Sequence, residues 1–320
     1  MIEIRKQMMA RRAISGALAF VILLSAFALV SCGSPDAAGA DSLSVVATTT
    51  IIADMARNVG GDRVTVRSLV PANADPHSFE PTPREIGAVA RADVVLEHGM
   101  GLDAWVINMI DVSGTDAHVA VVTDRVTTIE GEQHEEDASG HSHEGEDPHV
   151  WFDVANAQVM VANIRDALIA ADPGSAEIYR ANATRYQSEL ADLDRWIREQ
   201  IATIPESQRK LVTNHDAFGY YVHTYGLTLV GTIVPSLDAQ AQPSARETAA
   251  LIDLIRAEGV RAIFTEAALN PTLARRIAED AGVQIVSNLY GDSLGPAGSG
   301  ADTYIGMMRT DTTRIVEALR

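Results

Sequence analysis

Residues 175–204 read SAEIYRANATRYQSELADLDRWIREQIATI. Tyr186, Leu190, Leu193, Ile197, Ile201 and Ile204 recur at steps of three and four, which marks one buried face of a long helix. At 1.5 Å per residue a helix of that extent reaches about 45 Å, long enough to span two small domains. The helical pattern begins earlier, near Val154, and is broken once at Asp172-Pro173-Gly174. Outside it the texture changes to short β-branched runs alternating with amphipathic segments. Before the long helix the expected strands are Leu43–Thr48, Val64–Val70, Val94–Glu97 and Val119–Thr123; after it they are Leu211–Thr213, Thr228–Ile233, Ala262–Thr265 and Gln284–Val286. Expected helices lie near Ile51–Val59, Thr82–Arg91, Ala217–Tyr225, Ala245–Glu258, Thr272–Ala281 and Thr303–Leu319. Alternation of this kind predicts α/β architecture: two lobes with mostly parallel sheets, bridged by one long helix. Thr82-Pro83-Arg84-Glu85 combines capping-box spacing with proline at the first helical position, so a helix starts there.

The chain has 320 residues, enough for two domains at about 150 residues each. Residues 1–31 read as an export signal: a basic stretch, the apolar run Ala13–Val30, and small residues before Cys32. Residues 32–42 are then a polar tether, 43–173 the N-terminal lobe, 174–205 the linking helix and 206–320 the C-terminal lobe. Cys32 is the one cysteine, which excludes an intramolecular disulfide framework and a CxxC site. Its setting resembles the lipobox of bacterial lipoproteins, in which that sulfur carries diacylglycerol and the mature chain is lipid-anchored outside the cytoplasm. The alternative is an uncleaved membrane helix over Ala13–Val30. A net charge of −18 would be repelled by phosphate backbones, so nucleic-acid binding is excluded and a cation suits the field.

Residues 130–148 read EGEQHEEDASGHSHEGEDP, with three histidines (His134, His141, His143) and Ala138 as the only hydrophobic residue. Nothing in that stretch can build a core, so it is expected to be a surface loop that either collects cations weakly or is simply solvated. Four other positions follow expected strand ends or loops: His77 in DPHSFEPT, His149 in DPHVWFD, His215 in TNHDAFG and Asp292 in LYGDSL. Ligands of open α/β sheets gather outside the carboxyl ends of strands, so these residues can converge across an interlobe cleft. Three imidazoles and a carboxylate form a natural tetrahedral set for a borderline divalent ion, Zn²⁺ first, with Mn²⁺ or Fe²⁺ as alternatives. Prolines before His77 and His149 restrict the preceding backbone, and Trp151 and Phe152 are placed to exclude water. Glu266 at a strand end either orients a ligand histidine or is an exposed acid. His98 in Glu97-His98-Gly99 approaches the cleft or lies on the surface, the latter being favoured.

Taken together, Val45–Met55, DPHSFEPTP, DPHVWFD after a His-rich acidic loop, NHDAFGY, IFTEAALNP and Gly291-Asp292-Ser293 resemble the metal-binding solute-binding lipoproteins of zinc, manganese and iron ABC importers. The resemblance covers nearly the whole mature chain. It implies two α/β lobes bridged by a long helix and a single transition-metal ion held between them by His77, His149, His215 and Asp292. It also implies an ABC permease as partner, a monomer, and no enzymatic activity. Histidine at the third position is similar to zinc-type members; manganese-type members often have Glu there. The rival of another class is a metallohydrolase, which keeps an open metal position for water beside three protein ligands. No His-Glu-x-x-His helix is present to support it. Adhesion, a label some relatives carry, has no separate motif here.

Overall fold

The computed structural model describes residues 42–129, 147–234 and 242–320. Cys32, the leader and His134, His141 and His143 lie outside the described residues. The first lobe runs β1 (Leu43–Ala47), α1 (Thr50–Gly60), β2 (Val64–Ser68), α2 (Pro83–Val89), β3 (Val94–Glu97), α3 (Trp105–Ser113) and β4 (His118–Val121). Two helices follow, α4 (Val154–Ala171) and α5 (Ala176–Ile201), separated by a short 3₁₀ turn at Pro173–Ser175. The second lobe runs β5 (Lys210–Thr213), α6 (Gly219–Tyr225), β6 (Thr228–Thr232), α7 (Ala245–Glu258), β7 (Ala262–Glu266), α8 (Thr272–Ala281), β8 (Gln284–Leu289) and α9 (Tyr304–Leu319).

Each lobe carries a four-stranded sheet with every described pairing parallel, in the orders β2-β1-β3-β4 and β6-β5-β7-β8. The two orders are equivalent, with the reversal of strand order at β1 and at β5. Period-2 alternation splits each strand between two layers. Val45 and Ala47 face the central core while Val46 faces an outer cluster with Val89, Val95 and Met109. In the second lobe Leu211, Ala262 and Phe264 face the central core, and Val212 and Ile263 face outward onto Ile255 and Ile277. Strands buried on both faces explain the near-continuous apolar runs in the sequence.

The central core is shared by both lobes. Tyr179, Ala183, Tyr186, Leu190, Leu193, Ile197 and Ile201 of α5 are buried in it beside Ile52 and Met55 of α1 and Tyr304, Met308 and Ile315 of α9. At 26 residues α5 is about 39 Å long and lies against elements of both lobes. The capping box at Thr82 forms as its sequence requires: the Arg84 amide donates to Thr82 Oγ1 at 3.3 Å and the Thr82 amide to Glu85 Oε2 at 3.2 Å. One helix, α3, is absent from the sequence expectation. WVINMIDVS has no side-chain cap at its start and several residues of low helix propensity, and it forms because Val106 and Met109 pack into the outer cluster. No helix among the described residues is long and apolar enough to cross a membrane.

Candidate metal centre

His77 is carried by the loop after β2. The Asp75 carboxylate accepts the His77 amide at 2.8 Å and the Ser78 hydroxyl at 2.7 Å, which closes an Asx turn around Pro76. Trp105 Nε1 donates to the Pro76 carbonyl at 2.9 Å, and Phe79 packs on the Trp105 ring at 4.9 Å, so α3 holds this loop in place.

His149 precedes the turn that leads into α4, and its side chain is fully buried. Its amide and its ring Nδ1 both meet Asp147 Oδ1, at 2.9 and 2.6 Å. The ring lies edge-on to Trp151, with centroids 5.3 Å apart. Trp151 Nε1 donates to the Gly291 carbonyl at 3.2 Å, tying this turn to the segment that carries Asp292.

His215 follows β5, the strand at which the second sheet's order reverses, where binding crevices of open α/β sheets form. Its Nδ1 meets Glu266 Oε1 at 2.6 Å. Gly291 is required beside this pair, because a Cβ there would collide with the Glu266 carboxylate. Asp292 sits in the turn after β8. That turn is fixed by the Tyr290 amide, which donates to Asp311, and by the Leu294 amide, which donates to Thr50 Oγ1 of the other lobe at 2.9 Å.

These four side chains converge. One ligand-type atom from each of His77, His149, His215 and Asp292 lies within 4.8 Å of the others. His77 Nε2 is 3.3 Å from His149 Nε2, which is 3.1 Å from Asp292 Oδ1, and Asp292 Oδ2 is 3.4 Å from His215 Nε2. Buried His215 Nε2 and Asp292 Oδ1 have no hydrogen-bond partner of acceptable geometry. A buried polar atom without a partner is costly, and two aimed into one cluster of imidazoles mark a cation position. With Nδ1 of His149 and of His215 each engaged by a carboxylate, Nε2 is the nitrogen left to face an ion.

Electrostatics agree with that design. Burial works against the charged form of His149, but Asp147 and Asp292 outweigh it and push the ring up to about 9. Burial likewise opposes the charged form of His215, and Glu266 and Asp292 overcome it, so this ring is also raised. Asp292, although buried, is held far below the usual carboxylate range by His215 and His149. Burial lowers His77, and it is the one of the four that is not fully buried.

Glu266 is 4 % exposed, not an exposed acid, and its carboxylate meets His215 Nδ1, a place from which it can orient that ring. Trp151 is buried against His149. His98 is neither surface nor part of the cluster. At 1 % exposure its Nε2 donates to the Pro148 carbonyl at 2.8 Å, and burial lowers its ring to about 4. The expectation of a surface position is corrected: Asp103, whose carboxylate accepts the His98 and Gly99 amides at 2.6 and 3.0 Å, draws the residue inward. Sequence reasoning also missed Asp147. Both Asp-Pro-His triplets carry the aspartate; Asp147 bonds the ring of its histidine, and Asp75 accepts the His77 amide and the Ser78 hydroxyl.

Two lobes with parallel sheets, a long helix packed against both and a buried cation-type cluster fit a binding receptor. The family described as "Zinc-uptake complex component A periplasmic" matches residues 45–318, and the chain belongs to it. It is 33 % identical to the manganese-binding lipoprotein MntA of Halalkalibacterium halodurans, over 94 % of this chain and 97 % of that one. It is 34 % identical to the iron-binding protein YfeA of Yersinia pestis, over 92 % of each. Among solved structures, the periplasmic zinc-binding protein TroA from Treponema pallidum superimposes with a TM-score of 0.78 at 27 % identity, covering 87 % of this chain and 99 % of that one. The chain is a metal-binding receptor of an ABC importer, not an enzyme.

Proposed function

We propose that the receptor binds Zn²⁺ through His77, His149, His215 and Asp292 and passes it to the ABC permease while tethered to the membrane by lipidated Cys32. The observation that supports this most is the convergence of three imidazoles and one carboxylate, with two buried ligand-type atoms, His215 Nε2 and Asp292 Oδ1, that meet only other members of the cluster and make no well-aligned hydrogen bond. Imidazole-rich four-coordinate sets suit zinc, and four protein donors fill its preferred shell and leave no position for a reactive water. Binding strips the ion's water inside a pocket closed by Trp151, and docking on the permease must loosen at least one donor for release. His134, His141 and His143 of the acidic stretch serve as weak collectors that raise the local ion concentration.

Manganese or iron is the second reading, because the relatives MntA and YfeA are named for those metals. The test is competition titration of zinc and manganese on the full chain and on His215→Glu at one pH. Carboxylate oxygen suits manganese better than imidazole does, so the variant should bind zinc more weakly and manganese better, narrowing the preference. A wild-type chain that prefers manganese would overturn the zinc assignment. An unchanged preference in the variant would remove His215 from the set.

A further inference from the structure

Two of the three histidines in the cluster have a carboxylate on the ring nitrogen that faces away from the ion position. One carboxylate, Glu266, sits next to its histidine across β5 and β7 of the same sheet. The other, Asp147, has a different origin: it lies at the end of the acidic stretch, two residues before His149. Its two bonds to His149 are made through Oδ1, at 2.9 Å to the amide and 2.6 Å to Nδ1. The remaining oxygen, Oδ2, is packed against the second lobe. A Cβ built on Gly219, at the start of α6, would stand 2.8 Å from Asp147 Oδ2, a distance that real Cβ atoms essentially never show, so the carboxylate would have to shift. The backbone of Gly219 is not in the left-handed region, so flexibility does not explain a glycine there; space does. Gly291 plays the same part for Glu266.

We propose that Asp147 is a positioning residue for His149, fixing its ring with Nε2 toward the ion, and that Gly219 of the opposite lobe is the seat that admits its carboxylate. This rests on His149 being a ligand. An aspartate at this place does two things that an uncharged turn residue cannot. It fixes the Nδ1–H tautomer, and it raises the basicity of the nitrogen that faces the metal. The seat makes the support an interlobe contact, so the ring's orientation depends on both lobes being in the arrangement seen here. It also sets a limit on the acidic stretch: shortening it through Glu146 leaves the support in place, whereas removing Asp147 does not.

The experiment measures zinc affinity by competition on full-length wild type, Asp147→Ala, Asp147→Asn, Gly219→Ala, the Asp147→Ala/Gly219→Ala double variant and His149→Ala. Thermal melts of the metal-free proteins report folding. In zinc-loaded samples, nuclear magnetic resonance follows the His149 Nδ1 proton. Asp147→Ala should weaken zinc by about 10- to 100-fold, the range seen when an outer partner of a ligand histidine is lost. Its melt should stay near wild type and its protected ring proton should vanish. Asp147→Asn keeps a side-chain oxygen as acceptor and should recover part of the affinity and the ring proton. Gly219→Ala should weaken zinc in the same direction, and the double variant should be no weaker than Asp147→Ala, because the seat matters only while the carboxylate is there. Wild-type affinity and an intact ring proton in Asp147→Ala, with His149→Ala severely impaired, would overturn this inference alone. Wild-type affinity in His149→Ala would overturn the ligand assignment beneath it. Additive losses in the double variant would overturn the seat.

Discussion

At the scale of single residues the site sets two buried imidazoles, His149 and His215, against three carboxylates, Asp147, Glu266 and Asp292. In the metal-free protein His149 is held up at about 9, burial opposing its charged form and Asp147 and Asp292 prevailing, and His215 is raised in the same manner. Below those values an ion must displace a proton from each ring before it binds. The expected outcome is that zinc affinity falls as pH falls, by at least about tenfold per unit between about pH 8 and about pH 6. Titration with a competing chelator across that range checks it, and a flat profile would mean that neither raised ring is a ligand. Replacing His77 or His149 by Ala should lower zinc affinity beyond the about 100-fold typical of losing an outer partner, with the metal-free melt preserved for His77, the most exposed of the four. The four converging side chains were legible in the sequence because each sits in a short motif after a strand or beside a turn. Their supports were less so. Glu266 was visible as an acid at a strand end, but its bond to His215 depends on β5 and β7 being neighbours, a pairing that no local pattern encodes. His98 was misread because its inward pull comes from Asp103, five residues on, through backbone amides.

At the scale of elements, α5 and α9 hold the frame. The stripe was readable from its period alone, and every member of it is buried, although α5 ends at Ile201 and Ile204 follows it in the turn beyond. The strands and most helices were legible for the same reason, since strands buried on both faces are rich in β-branched residues and α1, α2, α4, α7 and α9 each open on a capping side chain. The start of α3 carries no such cap, so only its packing declares it. Helix α9 contains a group that composition could not flag: Asp311, wholly buried, whose carboxylate accepts the Tyr290 amide two residues before Asp292. Burial pushes its carboxyl well above the usual carboxylate range, only partly offset by the Tyr290 amide and Arg314. The folded state therefore keeps this proton at pH values where the unfolded chain, with an ordinary carboxylate near 3.9, has released it. Its contribution to stability is present below about pH 4 and is lost as pH rises toward the folded value, at up to about 1.4 kcal/mol per unit. Asp311→Asn keeps the acceptor for Tyr290 without the ionisation. Denaturant unfolding of metal-free protein from acid to neutral pH should show this loss in wild type and a flatter profile in the variant; parallel profiles would show that Asp311 ionises freely in the fold.

At the scale of the molecule the lobes are joined by more than a hinge. One apolar core runs through both, and hydrogen bonds cross between them: Leu294 to Thr50, Trp151 to Gly291, and the Tyr304 amide to Asp54 at 2.9 Å. Tyr304 also donates its hydroxyl to the Trp151 carbonyl at 2.6 Å. A continuous core cannot open widely without exposing apolar surface, so closure around the ion is expected to be small. Small-angle scattering of metal-free and zinc-loaded protein should give superimposable profiles, and a large contraction on loading would contradict a rigid bridge.

On the reading proposed above, one ion sits among His77, His149, His215 and Asp292 with its shell closed by the protein. X-ray absorption on the chain loaded with one equivalent of zinc tests it most directly. The expected shell is four-coordinate zinc with three imidazoles, at about 2.0–2.1 Å, one carboxylate oxygen and no water. Loss of one imidazole from the spectrum is expected in each of His77→Ala, His149→Ala and His215→Ala. Fewer than three imidazoles in the wild type, or a bound water in the shell, would contradict it.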